Sequence, residues 1–392
     1  PKAEQVKGPA HADGAVTILG AGGYWRQHVT RMSPLVSVAS ARGAGMELDE
    51  ATRALTLRVK RNKITPGSSP PPPQGWWGTD FDDGAWDRTM GAFGTGYQEV
   101  GLVCRRGKFV VNDPAAVKRL TLELAYYGGV VAWLNGREIV RASIEAGKIT
   151  HRTPGADYPV DAFIVASGER KGKALHHYYD RKLSQQFALR NRKAGPVDIP
   201  VKGLRKGINV LAIELHSSQY PAQCRKAGTG YFAAIGLQKL LLRAEAAEGA
   251  ILQAVARPPG RQVWNVEITE ELTQLDYGQG GEPLGPMRIA AVRNGTFSGQ
   301  VVVGSTEQIT ALSAEMGKLA RVGGGSIPPA AVKVRYGQLG QTMRQRGGSV
   351  YGGPTGQSLG VYFRRFDGLL DSPPATVVGG SARCSHFPLL QR

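Results

Sequence analysis

Three stretches of this 392-residue chain carry side chains whose types and spacing could do chemistry. The first is "FDDGAWDR", Phe81 to Arg88, with Asp82, Asp83 and Asp87. Paired carboxylates can serve as general acid and base in glycoside hydrolysis, or hold calcium. An Asp-Asp-Gly run is equally ordinary turn chemistry, the short carboxylates accepting from their own backbone. The turn reading of Asp82 and Asp83 is preferred, because no second carboxylate pair with a plausible partner stands out. Calcium has no specific motif here, so no cofactor is expected.

The second stretch is Trp76-Trp77, which follows the Pro-rich run "TPGSSPPPPQG". Adjacent residues of an extended chain point to opposite sides. One indole can therefore anchor a core while the other lies exposed, free to stack on the apolar face of a sugar ring. Packing alone also accounts for both. The third is His176-His177-Tyr178-Tyr179, inside the basic run "ERKGKALHHYYDRK" and just before "LRNRK". Neighbouring histidines can bind a transition metal, but on a strand they splay apart, and no third ligand is evident. In a basic loop these rings suit a polyanion or an acidic glycan, with Arg181, Arg190 and Arg192 as accompanying cations. An exposed loop without a role is the plainer reading. No metal site is expected.

Other signatures are absent from the chain: G-x-S-x-G, the P-loop, H-E-x-x-H and the dinucleotide fingerprint. "LGAGGYW" (Leu19–Trp25) has glycines but no following helix, so a phosphate-binding reading fails. His216 ends a strand-like run and reads as a satisfied rim histidine.

These residues need elements to position them, and the elements read as strands. Gly 53 and Pro 24 mean many turns and short segments. "YYGGVVAWLNGREIVR" (Tyr126–Arg141) is an apolar run, an Asn135-Gly136 turn and a second run. Both turn residues tolerate the positive φ of a two-residue hairpin. Trp133, two residues before the turn, reads as core. "RLTLELAYY" and "INVLAIELH" alternate so that one face is buried. "LQKLLLRAEA" (Leu237–Ala246) suits a closing strand or a short helix. "MRIAAVRNGTFSGQVVVGS" (Met287–Ser305) reads as strand, turn and strand, and "AAVKVRYG" (Ala330–Gly337) as a strand. "STEQITALSAEMGKL" (Ser305–Leu319) is the best helix signal. The Gly/Gln-rich stretch Val334–Gly360 reads as a long loop. "ARPPGRQ" marks a boundary between a domain at 1–255, with a long basic insertion at about 142–200, and a second at 261–392.

Composition narrows the partners. Lys and Arg total 49 against 31 acids, a net charge of +18, which attracts polyanions. No helix-turn-helix, zinc-finger or RNP pattern accompanies that charge, so nucleic acid is not favoured. No apolar run reaches the roughly 18 residues of a membrane span. Cys104, Cys224 and Cys384 allow at most one disulfide, and their spacing fits no metal motif. The chain starts at Pro1 without an apolar leader, so location is not legible from that end.

Three pieces occur in order: "GWWGTDFDDGAWDR", "GGVVAWLNGREIVR" and "LRKGINVLAIELH". Together they resemble the galactose-binding-like β-sandwich modules of large secreted bacterial proteins. "QVWNVEI", "RNGTFSGQVVVGS" and "IPPAAVKVRYG" extend the likeness to about residues 20–372. That arrangement is similar to secreted glycoside-hydrolase proteins in which such β-domains precede a catalytic barrel. The resemblance implies an all-β protein, a jelly-roll sandwich followed by a second, smaller β-sandwich domain. It also implies that Trp86 packs in the core beside the Asp turn, and that the barrel would follow Arg392. The expected role is a non-catalytic carbohydrate-binding or accessory module, secreted or at the cell surface and favouring acidic glycans. The alternatives are a structural subunit of an extracellular assembly, contacting its neighbours or itself, and part of a glycoside hydrolase using Asp82 or Asp83.

Overall fold

The computed structural model describes residues 15–20, 23–49, 53–55, 57–59, 62–64, 68–94, 98–227, 233–255, 257–278, 284–287, 289–292, 295–320, 322–344, 362–377 and 380–385. The fold is all-β, with only short helices such as Val38–Gly43 and Ser184–Ala188 among the described residues. The chain divides into two compact units, 15–255 and 257–385 among those residues.

The first unit is a jelly-roll-type sandwich of two antiparallel sheets. The larger has the order Arg137–Ala142, Gly129–Leu134, Gly207–His216, Val100–Val111, Tyr24–Arg31 and Asp87–Met90. The smaller has the order Val16–Gly20, Gly236–Ala246, Val117–Tyr127 and Arg192–Asp198. Leu237–Ala246 is thus a strand, as its sheet partner at Val117–Tyr127 demands. Between the sheets lie Leu120, Leu122 and Leu124 with Leu240 and Leu242, facing Val130, Ala132, Leu134, Leu211, Ile213 and Leu215. These side chains stand two residues apart, the period of a pleated strand.

The larger sheet is buried on its outer face as well. Residues 209–216 are all buried, and so is Gly129–Leu134. The covering layer is the segment after the Pro-rich run. Trp76 packs with Leu102, Cys104, Val131, Trp133 and Ala212, and Trp77, Phe81 and Trp86 close over them. The segment is pinned to Tyr24–Arg31: Ser69 N–H donates to Arg31 O at 3.0 Å, and His28 Nε2 lies 3.1 Å from Pro70 O. A sheet covered on both faces loses the inside-outside contrast that alternation predicts.

The Asn135-Gly136 turn has φ 51° and 85°, the left-handed region such a hairpin requires. The Asn135 side chain docks the turn, donating to Asn209 Oδ1 at 2.7 Å and accepting from Val210 N at 2.9 Å.

The basic insertion departs from its expected span. Arg192–Asp198 is an edge strand paired with Val117–Tyr127, so its last part belongs to the sheet. Farther back, Tyr158, Phe163 and Ile164 pack with Val36, Leu55 and Tyr220 in a separate small core.

The second unit holds a five-stranded sheet in the order Arg261–Val266, Gln300–Ser305, Gly380–Ser385, Arg335–Arg344 and Tyr362–Leu370. Its apolar cluster is small: Trp264, Leu272, Val302 and Phe366, with Val266 and Leu339 against them. Three local expectations are corrected. Ser305–Leu319 is no helix: Ile309–Thr310 pairs with Thr376–Val377, and residues 311–320 are mostly exposed. Burying Ile309 in that pairing outweighs intrinsic helix preference, and the rest has no surface to bury a helical face against. Of Met287–Ser305 only Gln300–Ser305 is strand among the described residues, and Asn294 lies outside them. Ala330–Gly337 begins as a single 3-10 turn, Pro329–Ala331, and the strand runs instead through Arg335–Arg344, inside the expected loop. The stretch 345–361 of that loop lies outside the described residues.

Candidate functional site

The "FDDGAWDR" carboxylates divide by burial. Asp82 is exposed, and its Oδ1 accepts from Gly84 N at 3.0 Å, closing a local turn. Asp83 is buried, its Oδ2 2.6 Å from Arg106 Nε and its Oδ1 2.7 Å from Lys108 Nζ. Arg106 is itself buried, and donates further to the carbonyl oxygens of Trp76 and, at 2.7 Å, Gly78. A guanidinium taken fully out of water needs this many acceptors. One carboxylate and three backbone carbonyls, the third Phe81 O at 3.4 Å, thereby clamp the aromatic layer onto the sheet. Both oxygens of Asp83 are engaged, so it has none to offer a substrate.

Both tryptophans pack into the layer that covers the sheet. Trp76 is buried. Trp77 stacks on Trp133, ring centroids 5.4 Å apart and planes 18° from parallel. Trp86 lies tilted against Trp76 at 5.5 Å, inside the same layer. The reason is the fold-back of the Pro-rich segment, which presents both indoles to the outer face of the sheet. His216 is no rim residue. It is buried, Nδ1 2.8 Å from the Thr153 carbonyl oxygen and Nε2 3.2 Å from Glu214 Oε1.

Cys104 and Cys224 show no nucleophilic environment. Both are buried free thiols. Burial pushes the Cys104 thiol well above its ordinary range, with the Glu214 carboxylate adding to the effect. Burial raises Cys224 to about 12. A thiol held protonated is inert. Among the described residues no cluster of three His, Cys, Asp or Glu side chains could hold a metal ion.

The exposed chemistry gathers at the turn His176–Tyr179. Its order comes from Asp180, a buried carboxylate that receives Arg170 Nε at 2.8 Å and His176 N–H at 2.7 Å. Burial alone would raise the Asp180 pKa. The Arg170 and His176 hydrogen bonds outweigh that and hold it below the usual carboxylate value. The histidines are in a turn, not a strand, so their rings do not splay. They stack 5.1 Å apart at 11°. Burial lowers the His176 pKa from 6.5, helped by the neighbouring His177 and Arg170. Tyr178 and Tyr179 meet edge to face at 5.2 Å, yet stand 61% and 66% exposed. Arg181 lies 5.0 Å from the Tyr178 ring centroid and Arg170 5.1 Å from that of Tyr179. Lys171, Lys173 and Lys182 are exposed nearby in sequence.

Two of the cations expected to face a ligand do not. Arg190 is buried, within 6.0 Å of the rings of Tyr127, Phe163 and Phe187, and burial lowers its pKa. Arg192 sits 3.7 Å above the Tyr158 ring and donates to the carbonyl oxygens of Gly128, Ala156 and Asp157 at 2.7–2.9 Å. It buckles the insertion to the sheet. Its position at the start of a strand pairing with Tyr126 was the missed signal. Arg106 and Asp180 were missed as well. The Arg105-Arg106 pair inside the largely apolar "GLVCRRGKFVV" puts charge in a core strand, which calls for a buried partner.

No protein-family model matches this chain, and no curated protein matches it. Solved structures similar to it include a calcium-binding mutant of Bacteroides uniformis beta-glucuronidase 2, with TM-score 0.28 and 10% identity, covering 96% of this chain and 28% of that one. A glycosyl hydrolase family 2 member from Bacteroides cellulosilyticus has TM-score 0.27 and 10% identity, covering 95% and 32%. An uncultured Clostridium sp. beta-glucuronidase has TM-score 0.22 and 10% identity, covering 96% and 41%. The chain thus spans less than half the length of each of these enzymes. No helix among the described residues is long and apolar enough to cross a membrane.

Proposed function

We propose that this chain is a non-catalytic accessory β-module that binds carbohydrate in a secreted or cell-surface protein, with a preference for acidic glycans. The observation that carries this reading is the turn His176–Tyr179, where two tyrosine rings stand more than half exposed on a loop ordered from beneath by Asp180 and Arg170. Large rings exposed on a loop whose conformation is already set lose little entropy on binding. A sugar ring offers an apolar face to such rings, and Arg181 beside Tyr178 offers a positive charge to a carboxylate or sulfate. The ordered motifs "GWWGTDFDDGAWDR", "GGVVAWLNGREIVR" and "LRKGINVLAIELH" support the accessory role through their resemblance to β-modules of secreted glycan-acting proteins. The engagement of Asp83 by Arg106 and Lys108 favours a structural carboxylate over a catalytic one.

A glycan array read at two salt concentrations tests this. Acidic chains should bind more tightly than neutral ones, and the difference should shrink as salt rises, since exposed charges are screened beyond about 8 Å at physiological ionic strength. Tyr178→Ala should abolish most of the binding at either salt. Equal binding of neutral and acidic chains, or binding indifferent to Tyr178→Ala, would sink the proposal.

A further inference from the structure

A second feature of the first unit is untouched by that reading. At one end of the larger sheet lies a cavity of about 620 Å³. This is within the roughly 300–1,000 Å³ of small-molecule sites. Its walls come from 32–35, 68–71, Gln98 with Gly101, 151–154 and 217–219, and Arg53 also lines it. No residue of the 176–181 turn lines it.

The walls are fixed by backbone hydrogen bonds and by some of the lining hydroxyls: Ser69 Oγ accepts from Arg31 N at 2.8 Å, and Ser218 Oγ donates to Ala156 O at 2.6 Å. Met32 N–H donates to Glu99 O at 2.7 Å, Ser217 N–H to Gly101 O at 2.9 Å, and Leu55 N–H to Pro34 O at 2.9 Å. The buried His216 ring holds Thr153 by its carbonyl, which anchors the 151–154 segment.

The lining chemistry is one-sided. Arg53, Arg152 and His151 supply positive or protonatable groups, and serines with Gln98 and Gln219 supply hydroxyls and amides. Among the described residues that line it, none is an Asp or Glu. Glu99 lies next to the wall in sequence, but its carboxylate is taken by Arg31 at 3.1 Å. Arg53 is oriented by a single bond from Nε to Val36 O at 3.2 Å, leaving its terminal amines without a partner among the described residues. The Arg152 side chain makes no hydrogen bond there either. Pro34, Pro70, Pro71 and Leu35 add rigid apolar surface. Two guanidinium groups lining one cavity, with hydroxyl and amide groups around them and no acid among the described lining residues, suit a ligand that is anionic and rich in hydroxyls.

We infer that this cavity is a second binding site, for a small polyhydroxylated anion such as a sugar acid or a sugar sulfate, with Arg53 and Arg152 taking its charged group. It stands independently of the tyrosine turn, which would contact longer chains.

Isothermal titration calorimetry of the full chain at low salt with galacturonate, galactose 6-sulfate and galactose tests the inference. The three share a ring and differ in charge and its carrier, so the two anions tell carboxylate from sulfate. At least one anion should bind about tenfold more tightly than galactose, the effect of a charged hydrogen bond. Arg152→Gln should cut that affinity about tenfold. This residue is exposed and bonds no neighbour through its side chain, so the variant should fold. Tyr178→Ala should leave the affinity unchanged. Galactose binding as tightly as the anions, no binding by any of the three, indifference to Arg152→Gln, or loss with Tyr178→Ala would each overturn the inference. Failure of the tyrosine-turn proposal would show instead as Tyr178→Ala leaving polymer binding intact.

Discussion

Arg106 Nε and Asp83 Oδ2 lie 2.6 Å apart, with both side chains withdrawn from solvent, and they join the aromatic layer to the outer face of the larger sheet. Removing one member of such a pair leaves the other as an uncompensated buried charge. Asp83→Asn should therefore destabilise the first unit by about 3 kcal/mol or more in urea unfolding. Asp82→Asn, at an exposed turn, should cost less than about 1 kcal/mol. The reverse ranking would show that the clamp is not what holds the layer.

The tryptophan layer makes a second prediction, which separates packing from recognition. Trp76→Ala should cost about 3–5 kcal/mol, because a buried indole leaves a cavity that its neighbours cannot fill. Glycan affinity measured on the remaining folded protein should stay the same. A Trp76→Ala or Trp77→Ala protein of unchanged stability that had lost glycan binding would return these residues to a ligand-contact role.

The Asp180 turn should respond to pH in a defined direction. The folded Asp180 carboxyl has a pKa below the ordinary 3.8, so the stability it contributes is complete above that value and is lost as pH falls through the folded value. His176 is lowered from 6.5, so charging it opposes folding, and stability declines as pH drops below 6.5 through its folded value. Proton NMR titration should place the His176 midpoint below 6.5. Arg170→Gln should move both midpoints upward, since Arg170 favours ionised Asp180 and neutral His176. A His176 midpoint insensitive to Arg170→Gln would contradict this arrangement.

Gly107 lies in the strand Val100–Val111 against the six-membered part of the Trp25 ring, and a Cβ there would sit 2.7 Å from Trp25 Cζ3. Trp25 is buried and tied by its Nε1 to Gly20 O at 3.1 Å, so it cannot step aside cheaply. Gly107→Ala should cost about 1–3 kcal/mol as overpacking. An unchanged melting temperature would mean that the core has more slack than this contact implies.

What the sequence determined by itself is local and periodic. The Asn135-Gly136 hairpin follows from two residues that accept positive φ, and Leu120, Leu122 and Leu124 follow from strand alternation. Such features need only neighbours along the chain, so they are legible in one sequence. The tertiary structure decided which side of each element meets solvent. Nothing in "SPPPPQGWW" says that it folds back over a sheet more than twenty residues ahead, turning Trp77 from an exposed face into a partner for Trp133. Nothing in "LRNRK" distinguishes Arg190 and Arg192, locked among rings and carbonyls, from Arg181, which stays exposed. A charged side chain reads the same in a string whether water or a buried carboxylate solvates it. The difference lies in desolvation, which depends on atoms contributed by distant segments and exists only once the chain has packed.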